Sequence, residues 1–474
     1  MSNVVWFRQD LRLADNPALA AAASKGPVIG LYVLDETVPP ARRPLGGASR
    51  WWLHQSLREL HSALGGLVLL RGDPARLVPE FARRVGARGV FWNRRYDRQS
   101  IQCDKTVKAR LKDDGLEAES FNGSLLFEPW DIKTKTGGPY KVFSAFWRAC
   151  LQQTVPRTLP AASFQIETPA GCGETLEDWA LLPDSPNWAE DFETAWQPGE
   201  AGALARLRAF LDEGLPGYRT LRDRPDLNNV SRLSPHLRFG EISPRQIWAA
   251  AIHHGLQNPA CQGDVDKFLS EIGWREFSYH LLHHFPELPD RNLNPAFDAY
   301  PWVDDPEHLA TWQRGMTGYP LVDAGMRELW ATGLMHNRVR MVAASFLTKH
   351  LRIHWHHGEA WFWDTLVDAD PASNAASWQW VAGCGADAAP YFRIFNPTIQ
   401  GRKFDPEGAY VRRWCPELAN LPDRYIHAPC EASAEVLEKS GIVLGDSYPH
   451  PMVQHAAARA TALAGYDRVK THSD

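Results

Sequence analysis

The sequence predicts two parts: an α/β N-terminal domain built on a parallel sheet, and an all-α C-terminal domain. Three observations predict this. Short apolar runs rich in β-branched and aromatic residues alternate with helical periodicity over the first 130 or so residues. A Pro-, Gly-, Ser- and acid-rich stretch with little periodicity covers 155–200. From about 201 onward the periodicity is helical throughout, with Pro and Gly as punctuation. The expected boundaries are therefore 1–130 for the sheet domain, 131–200 for a linker and 201–474 for the helical domain.

The strand candidates are 3–8 (NVVWFR), 28–34 (VIGLYVL), 67–71 (LVLLR) and 89–93 (GVFWN). Segments 49–64 and 74–86 between them have helical spacing. Strands separated by helices are the signature of βαβ units, whose strands run parallel. Beyond the linker, helices are expected at 201–213, 243–254, 262–285, 321–333, 335–350 and 358–367, with no strong strand run.

Composition narrows the function classes. Hydrophobic residues make up 44% and charged residues 23%, the balance of a globular protein with a packed core. No apolar run is long enough to span a bilayer, and no secretion signal is visible at the N-terminus. The seven cysteines are scattered without a CxxC pair, which points to neither a disulfide framework nor a zinc cluster and fits a reducing cytoplasm. A net charge of -5 speaks against a protein coated in lysine for non-specific polyanion binding, yet leaves room for a local basic groove. Twenty tryptophans are unusual, and eleven follow residue 240.

Several motifs carry nothing. GCGADA (383–388) fits a loose dinucleotide fingerprint but follows a tryptophan-rich helical stretch, not a strand. No Walker A sequence occurs. The histidine groups His354, His356, His357 and His280, His283, His284 lack a complementary Cys or carboxylate set, so no metal site is expected.

Three stretches carry chemistry. In EIGWREF (271–277), Glu271, Trp274 and Arg275 share one helix face, offering a carboxylate, a flat aromatic and a cation. In MHNRVRM (335–341), Asn337 and Met341 are i,i+4 neighbours, an amide able to read a base edge beside a soft apolar side chain, with Arg338 at the rim for phosphate. In DADPASNAASWQW (368–380), two acids, an amide and two tryptophans crowd together, and Asp368 or Asp370 can bind a ribose or pair with Arg340.

These stretches, in this order, resemble the DNA photolyase and cryptochrome superfamily, most closely its bacterial cyclobutane pyrimidine dimer photolyases. So do VVWFRQDLRLADNPAL (4–19), SRLSPHLRFGEISPRQ (231–246), TGYPLVDAGMREL (317–329) and APYFRIFNP (389–397). The resemblance implies a Rossmann-like, antenna-binding α/β domain, a linker and an all-α domain holding FAD. It implies light-driven repair of dimers by a deoxyribodipyrimidine photo-lyase, with a cryptochrome-type blue-light photoreceptor as the alternative.

By the same resemblance, Tyr218, Val230, Ser231, Arg232, Leu233 and Ser234 hold the pyrophosphate side of FAD. Arg275, Arg340, Asp368, Asp370 and Asn374 are its flavin and ribose contacts, and Glu271 and Asn337 border both cofactor and lesion. Asn374 matches the position facing flavin N5, where plant cryptochromes carry aspartate. Glu271, Trp274, Asn337, Met341 and Trp380 match the lesion pocket, which receives a flipped-out dimer. Trp378, Trp355 and Trp302 match the family's electron-carrying tryptophan chain. Arg222, Arg338 and Arg393 are placed on DNA phosphates, contacts that position without reading sequence.

The expected partner is UV-damaged DNA, single- or double-stranded and of any sequence, bound by a cytoplasmic monomer without a membrane. A second, antenna chromophore is open between methenyltetrahydrofolate, an 8-hydroxy-deazaflavin and none. Folate-binding relatives carry an Asn–Glu pair where this chain has Gln99 and Ser100, and Arg50, Trp51 and Trp52 either line an antenna pocket or pack a helix.

Overall fold

The computed structural model describes residues 1–35, 43–388 and 392–471. The chain forms two compact units. One takes Met1–Pro216 and Ser231–Pro286, the other Gly217–Val230 and Glu287–Asp474. The segment 231–286, expected with the helical domain, thus clusters with the sheet.

In the first unit, five strands form one parallel sheet: β1 (Asn3–Phe7), β2 (Val28–Leu34), β3 (Val68–Arg71), β4 (Gly89–Asn93) and β5 (Glu117–Phe121), in the order β3-β2-β1-β4-β5. Val4 lies opposite Ile29 on one side and Val90 on the other. Both faces of β1, β2 and β4 are buried, which is why they read as continuous apolar runs and not as alternation. Helices α1 (Pro17–Ala23), α2 (Gly47–Leu64), α3 (Pro74–Arg84) and α4 (Arg98–Asp113) connect the strands. Val4, Trp6, Leu31, Phe81, Val90 and Trp92 form the core. Burying a large apolar side chain contributes about 1.5–3 kcal/mol.

The fifth strand, EAESF, was not expected. It is a half-buried edge strand with two acids, so it has no apolar run to reveal it. The opposite edge is covered by the linker. Val28 forms an isolated parallel bridge with Ile166, and the N–H of Glu174 donates to the carbonyl of Leu69 at 2.8 Å.

The same unit continues through α5 (Phe143–Cys150) and, after the chain returns at 231, α6 (Ser234–Phe239), α7 (Pro244–Gln257) and α8 (Gln262–His284). Helix α7 begins with a capping box. Gln246 N–H donates to Ser243 Oγ at 3.0 Å and Ser243 N–H to Gln246 Oε1 at 2.8 Å, with Pro244 at the first helical position.

The second unit is helical. The helices carrying candidate residues are α9 (Pro320–Thr332), α10 (Asn337–Ser345), α11 (Trp355–Thr365) and α12 (Pro371–Ala382). Its core includes Trp312, Phe346, Leu347, Trp355, Phe362 and Trp378. Helix α12 starts where Asp370 accepts from the N–H groups of Ala372 (3.0 Å) and Ser373 (2.8 Å), with Pro371 at the first helical position. Among the described residues, no helix is long and apolar enough to cross a membrane.

Candidate functional site

Candidate residues occur in each of the two units, and each set is described by itself. In the first, α8 carries Glu271, Trp274 and Arg275 on neighbouring positions. Glu271 and Arg275 are spaced to pair, but each has another partner. Lys267 Nζ donates to Glu271 Oε1 at 2.8 Å, and Arg275 Nη1 donates to the carbonyl of Ser124 at 2.7 Å. The two neighbours of Glu271 at i±4, Lys267 and Arg275, are both basic, and Arg275 instead meets Ser124, 151 residues away, and the Glu276 carboxylate at 3.7 Å. The guanidinium of Arg275 also lies 4.9 Å from the Tyr279 ring centre. The Trp274 indole stacks on Phe143 of α5, with centroids 3.7 Å apart and planes at 10°. The orientation of the Trp274 ring is therefore held by a second aromatic ring.

Ser231, Arg232, Leu233 and Ser234 form the turn leading into α6. Arg232 sits at φ 51°, in the left-handed region. A non-glycine residue held there is a strained feature of the kind that gathers at binding sites. The Arg232 Nε–H is buried without a protein acceptor. A cation with an unused donor between two serine hydroxyls suits phosphate oxygens, so this turn fits the pyrophosphate of FAD.

In the second unit, Arg340 Nη2 donates to Asp368 Oδ2 at 3.0 Å while its Nε donates to the carbonyl of Met335 at 2.7 Å. Pairing with Arg340 is one of the two roles that the sequence left open for Asp368 and Asp370. Asp370 caps α12 with its side chain. Asn374, one turn further, donates through Nδ2 to both the carbonyl (3.1 Å) and Oε1 (2.9 Å) of Glu359 on α11. That fixes which way the amide faces and leaves Oδ1 as its remaining group, an acceptor suited to a flavin N5–H. Glu359 is a residue that reading the sequence missed; nothing local to it marks the contact.

Trp378 is buried, edge-on to Phe362 at 5.0 Å and to Trp312 at 6.3 Å. A Cβ on Gly358 of α11 would run into the Trp378 ring, so the indole lies on α11 one turn beyond Trp355. Trp355 is fully buried and donates Nε1–H to Asn292 Oδ1 at 2.8 Å. The ring of His354 touches both Trp355 (5.6 Å) and the half-buried Trp302 (4.8 Å), placing an imidazole between the two indoles. Burial holds His354 down to about 4, so it is neutral at pH 7.

Asn337 opens α10 with Nδ2 4.0 Å from Met341 Sδ, the expected pair on one face. Trp380 donates Nε1–H to the Asp387 carbonyl at 3.2 Å, and Arg393 lies 5.4 Å from its ring. Arg338 is engaged: its Nη2 donates to Asp223 Oδ2 at 2.6 Å and its guanidinium lies 4.4 Å from the Phe404 ring. Arg222 lies 4.0 Å from the same carboxylate and 5.5 Å from the ring of Tyr218, which is buried. The segment Val230 ends the stretch of chain that this unit takes from 217–230. His280 and His284 both contact the Pro129 carbonyl, and no group of metal-binding side chains occurs among the described residues.

Two family models match the chain: DNA photolyase over residues 3–163, and the FAD binding domain of DNA photolyase over 268–468. A deoxyribodipyrimidine photo-lyase of Agrobacterium fabrum is 53% identical, covering 98% of each chain. Cryptochrome-1 of Arabidopsis thaliana is 39% identical over 97% of this chain but 69% of its own. Among solved structures, a bacterial class III photolyase from Agrobacterium tumefaciens superposes with a TM-score of 0.95 at 52% identity, covering 99% and 98% of the two chains. An archaeal photolyase from Sulfolobus tokodaii that holds two FAD molecules superposes with a TM-score of 0.83 at 28% identity, over 98% and 100%. With both domain models matched in order and near-complete coverage at this identity, the chain belongs to the DNA photolyase family.

Proposed function

We propose that this protein is a deoxyribodipyrimidine photo-lyase that uses FAD and light to split cyclobutane pyrimidine dimers in DNA. The observation that carries the reading is Asn374, whose amide is locked by Glu359 with its oxygen left over. Reduced FAD held by these residues would supply light-driven electron donation to the dimer with no net redox change.

The protein's own residues bind, orient and shield. Ser231, Arg232, Leu233 and Ser234, with Tyr218 and Val230, are assigned to the phosphates. Arg275, Arg340, Asp368 and Asp370 are assigned to ribose and flavin. Trp274 and Trp380 are assigned as walls for the two saturated rings, and Asn337 and Met341 as the pocket's floor. Glu271 is assigned to a hydrogen bond with a thymine carbonyl or N3–H, stabilising charge after the electron arrives. The dimer reaches such a pocket only when flipped out, and its poor stacking lowers that cost. Trp302, Trp355 and Trp378 are assigned to an electron path from surface to interior, and Arg222, Arg338 and Arg393 to backbone phosphates.

We further assign 201–474 as the FAD-binding part and a monomeric cytoplasmic setting, with the antenna position open between methenyltetrahydrofolate, an 8-hydroxy-deazaflavin and none. The pocket role of Trp51 and Trp52 is the weaker of their two readings. Trp51 packs edge-on against Phe192 at 5.3 Å, and Trp52 donates Nε1–H to Glu241 at 2.9 Å. An absorbance band beyond flavin in the purified protein is the check on the antenna.

The deciding experiment illuminates the reduced protein with dimer-containing single- and double-stranded DNA and counts lesions against a dark control. Light-dependent loss is expected on both. No loss from flavin-loaded protein would leave the photoreceptor reading in its place. Glu271→Ala should lower repair yield while FAD stays bound, and Trp302→Phe should slow photoreduction while sparing repair by chemically reduced enzyme.

A further inference from the structure

Glu241 is a fully buried carboxylate to which the reaction above gives no task. Its Oε1 accepts from Trp52 Nε1 at 2.9 Å and from the hydroxyl of Ser56, both on α2 of the sheet region. Its Oε2 meets Nδ1 of His236, on α6, two residues past Ser234. Among the described residues, no lysine or arginine pairs with it. A carboxyl group this deep needs hydrogen-bond partners, and Trp52, Ser56 and His236 supply them.

The surroundings form one buried latch. Leu11 N–H donates to the carbonyl of Phe239 at 3.1 Å, and Arg12 Nη1 donates to that of Gly240 at 2.9 Å. Gly240 has φ 68°, and a Cβ there would strike the Gln9 carbonyl, so only glycine lets the two backbones meet. On the far side, Arg245 Nε donates to Asp15 Oδ2 at 3.0 Å. The segment following the 231–234 turn is thus hydrogen-bonded at residues 239, 240, 241 and 245 to the loop after β1 or to α2, while His236 meets Glu241 and lies edge-on to the Trp52 ring, with centroids 5.2 Å apart.

We propose that Glu241 is a positioning residue for the cofactor: it ties α2 through His236 to the turn that holds the FAD phosphates. This rests on the reading that Ser231–Ser234 hold those phosphates. Helix α6 is a single short helix, so His236 cannot shift without carrying Ser234 with it. Replacing one carboxylate oxygen by an NH2 puts a donor against a donor, and the turn must move to relieve it. By the same connection, anything that shifts α2 changes the hold on FAD.

The test measures FAD release from the holoprotein, by flavin fluorescence after dilution, well below the unfolding transition. Trp52→Phe removes one donor and keeps an aromatic ring; Glu241→Gln keeps the shape. Each should speed release about tenfold, the effect of one buried hydrogen bond to a charged group. Ser231→Ala with Ser234→Ala is the reference for the reading underneath. If the serine pair speeds release while Trp52→Phe and Glu241→Gln only lower the melting temperature, the latch is structural and the proposal is overturned. If the serine pair changes nothing, the phosphate assignment fails and the proposal falls with it. Trp52→Phe alone decides the question if Glu241→Gln does not fold.

Discussion

At the scale of single residues, competition for a partner decides what a charged side chain is free to do. Asp223 accepts from Arg338 at 2.6 Å and lies 4.0 Å from Arg222, so one carboxylate faces two of the three arginines assigned to DNA phosphates. Asp223→Asn removes that charge and one source of repulsion for the DNA backbone. Affinity for undamaged DNA of any sequence should rise severalfold at low salt. The slope of log K against log salt should steepen by about 0.9 for each arginine released. Titrations of fluorescent duplex over a range of salt read both numbers, and an unchanged slope would remove Arg338 from the phosphate set. Glu359→Ala makes the complementary case. It deletes the side-chain acceptor 2.9 Å from Asn374 Nδ2 and leaves only the backbone carbonyl of residue 359 at 3.1 Å, so the amide is held less firmly. The flavin-loaded variant should then reoxidise in air severalfold faster than the parent, followed as recovery of the oxidised flavin band. Neither contact was legible in the sequence, because Asp223 and Arg338 are 115 residues apart and Glu359 and Asn374 sit on different helices.

At the scale of elements, the packing of α11 on α12 places Trp378, and Gly358 is the point of approach. A glycine inside a helix ordinarily gains about 0.5–1 kcal/mol on replacement by alanine. Here the new methyl would overlap the Trp378 ring and sit 2.6 Å from Leu347 Cδ2. Overpacking of this kind costs about 1–3 kcal/mol, which exceeds the helix gain. Gly358→Ala should lower the melting temperature and also slow photoreduction, because the indole that moves belongs to the assigned electron path. A variant more stable than the parent would contradict this packing. The elements also show what a sequence reveals. Strands β1, β2 and β4 were legible because burial on both faces leaves unbroken apolar runs, and the edge strand β3 still carries an apolar run, while β5 was not, as a half-buried edge strand of mixed residues. Helix α12 escaped the periodicity search although its motif stood out. Ala372, Asn374, Ala375, Trp378, Gln379 and Val381 are all buried, and the buried set includes polar Asn374 and Gln379, so hydrophobicity does not follow burial along it. Its start was written in Asp370-Pro371, a cap followed by proline.

At the scale of the whole molecule, burial sets the response to acid. Among the described residues, burial lowers eight histidines: His54, His280, His283, His336, His350, His354, His427 and His455. His280, His336 and His427 come down to about 4, and His350 to about 3, from the usual 6.5. Above pH 6.5 these groups are neutral in both folded and unfolded chains and add no pH dependence. Below it the unfolded chain takes up protons that the folded chain refuses, so stability falls as pH drops from about 6.5 towards 4. Each such histidine adds a slope of up to about 1.4 kcal/mol per pH unit. Three buried carboxyls act the other way: Glu276, raised to about 7, Asp405, raised to about 6, and Asp323, also raised. Glu276 and Asp405 take up protons in the folded state as pH falls through about 7 and about 6, before the unfolded chain does, and so add stability on acidification; Asp323 is shifted in the same direction. Eight against three leaves a net loss. Chemical denaturation at stepped pH should show the midpoint dropping steadily below pH 6.5. Added salt should not restore it, because desolvation, and not repulsion between exposed charges, is the main cause. A midpoint that held level to pH 4.5, or that salt rescued, would mean that these imidazoles reach water in the folded protein.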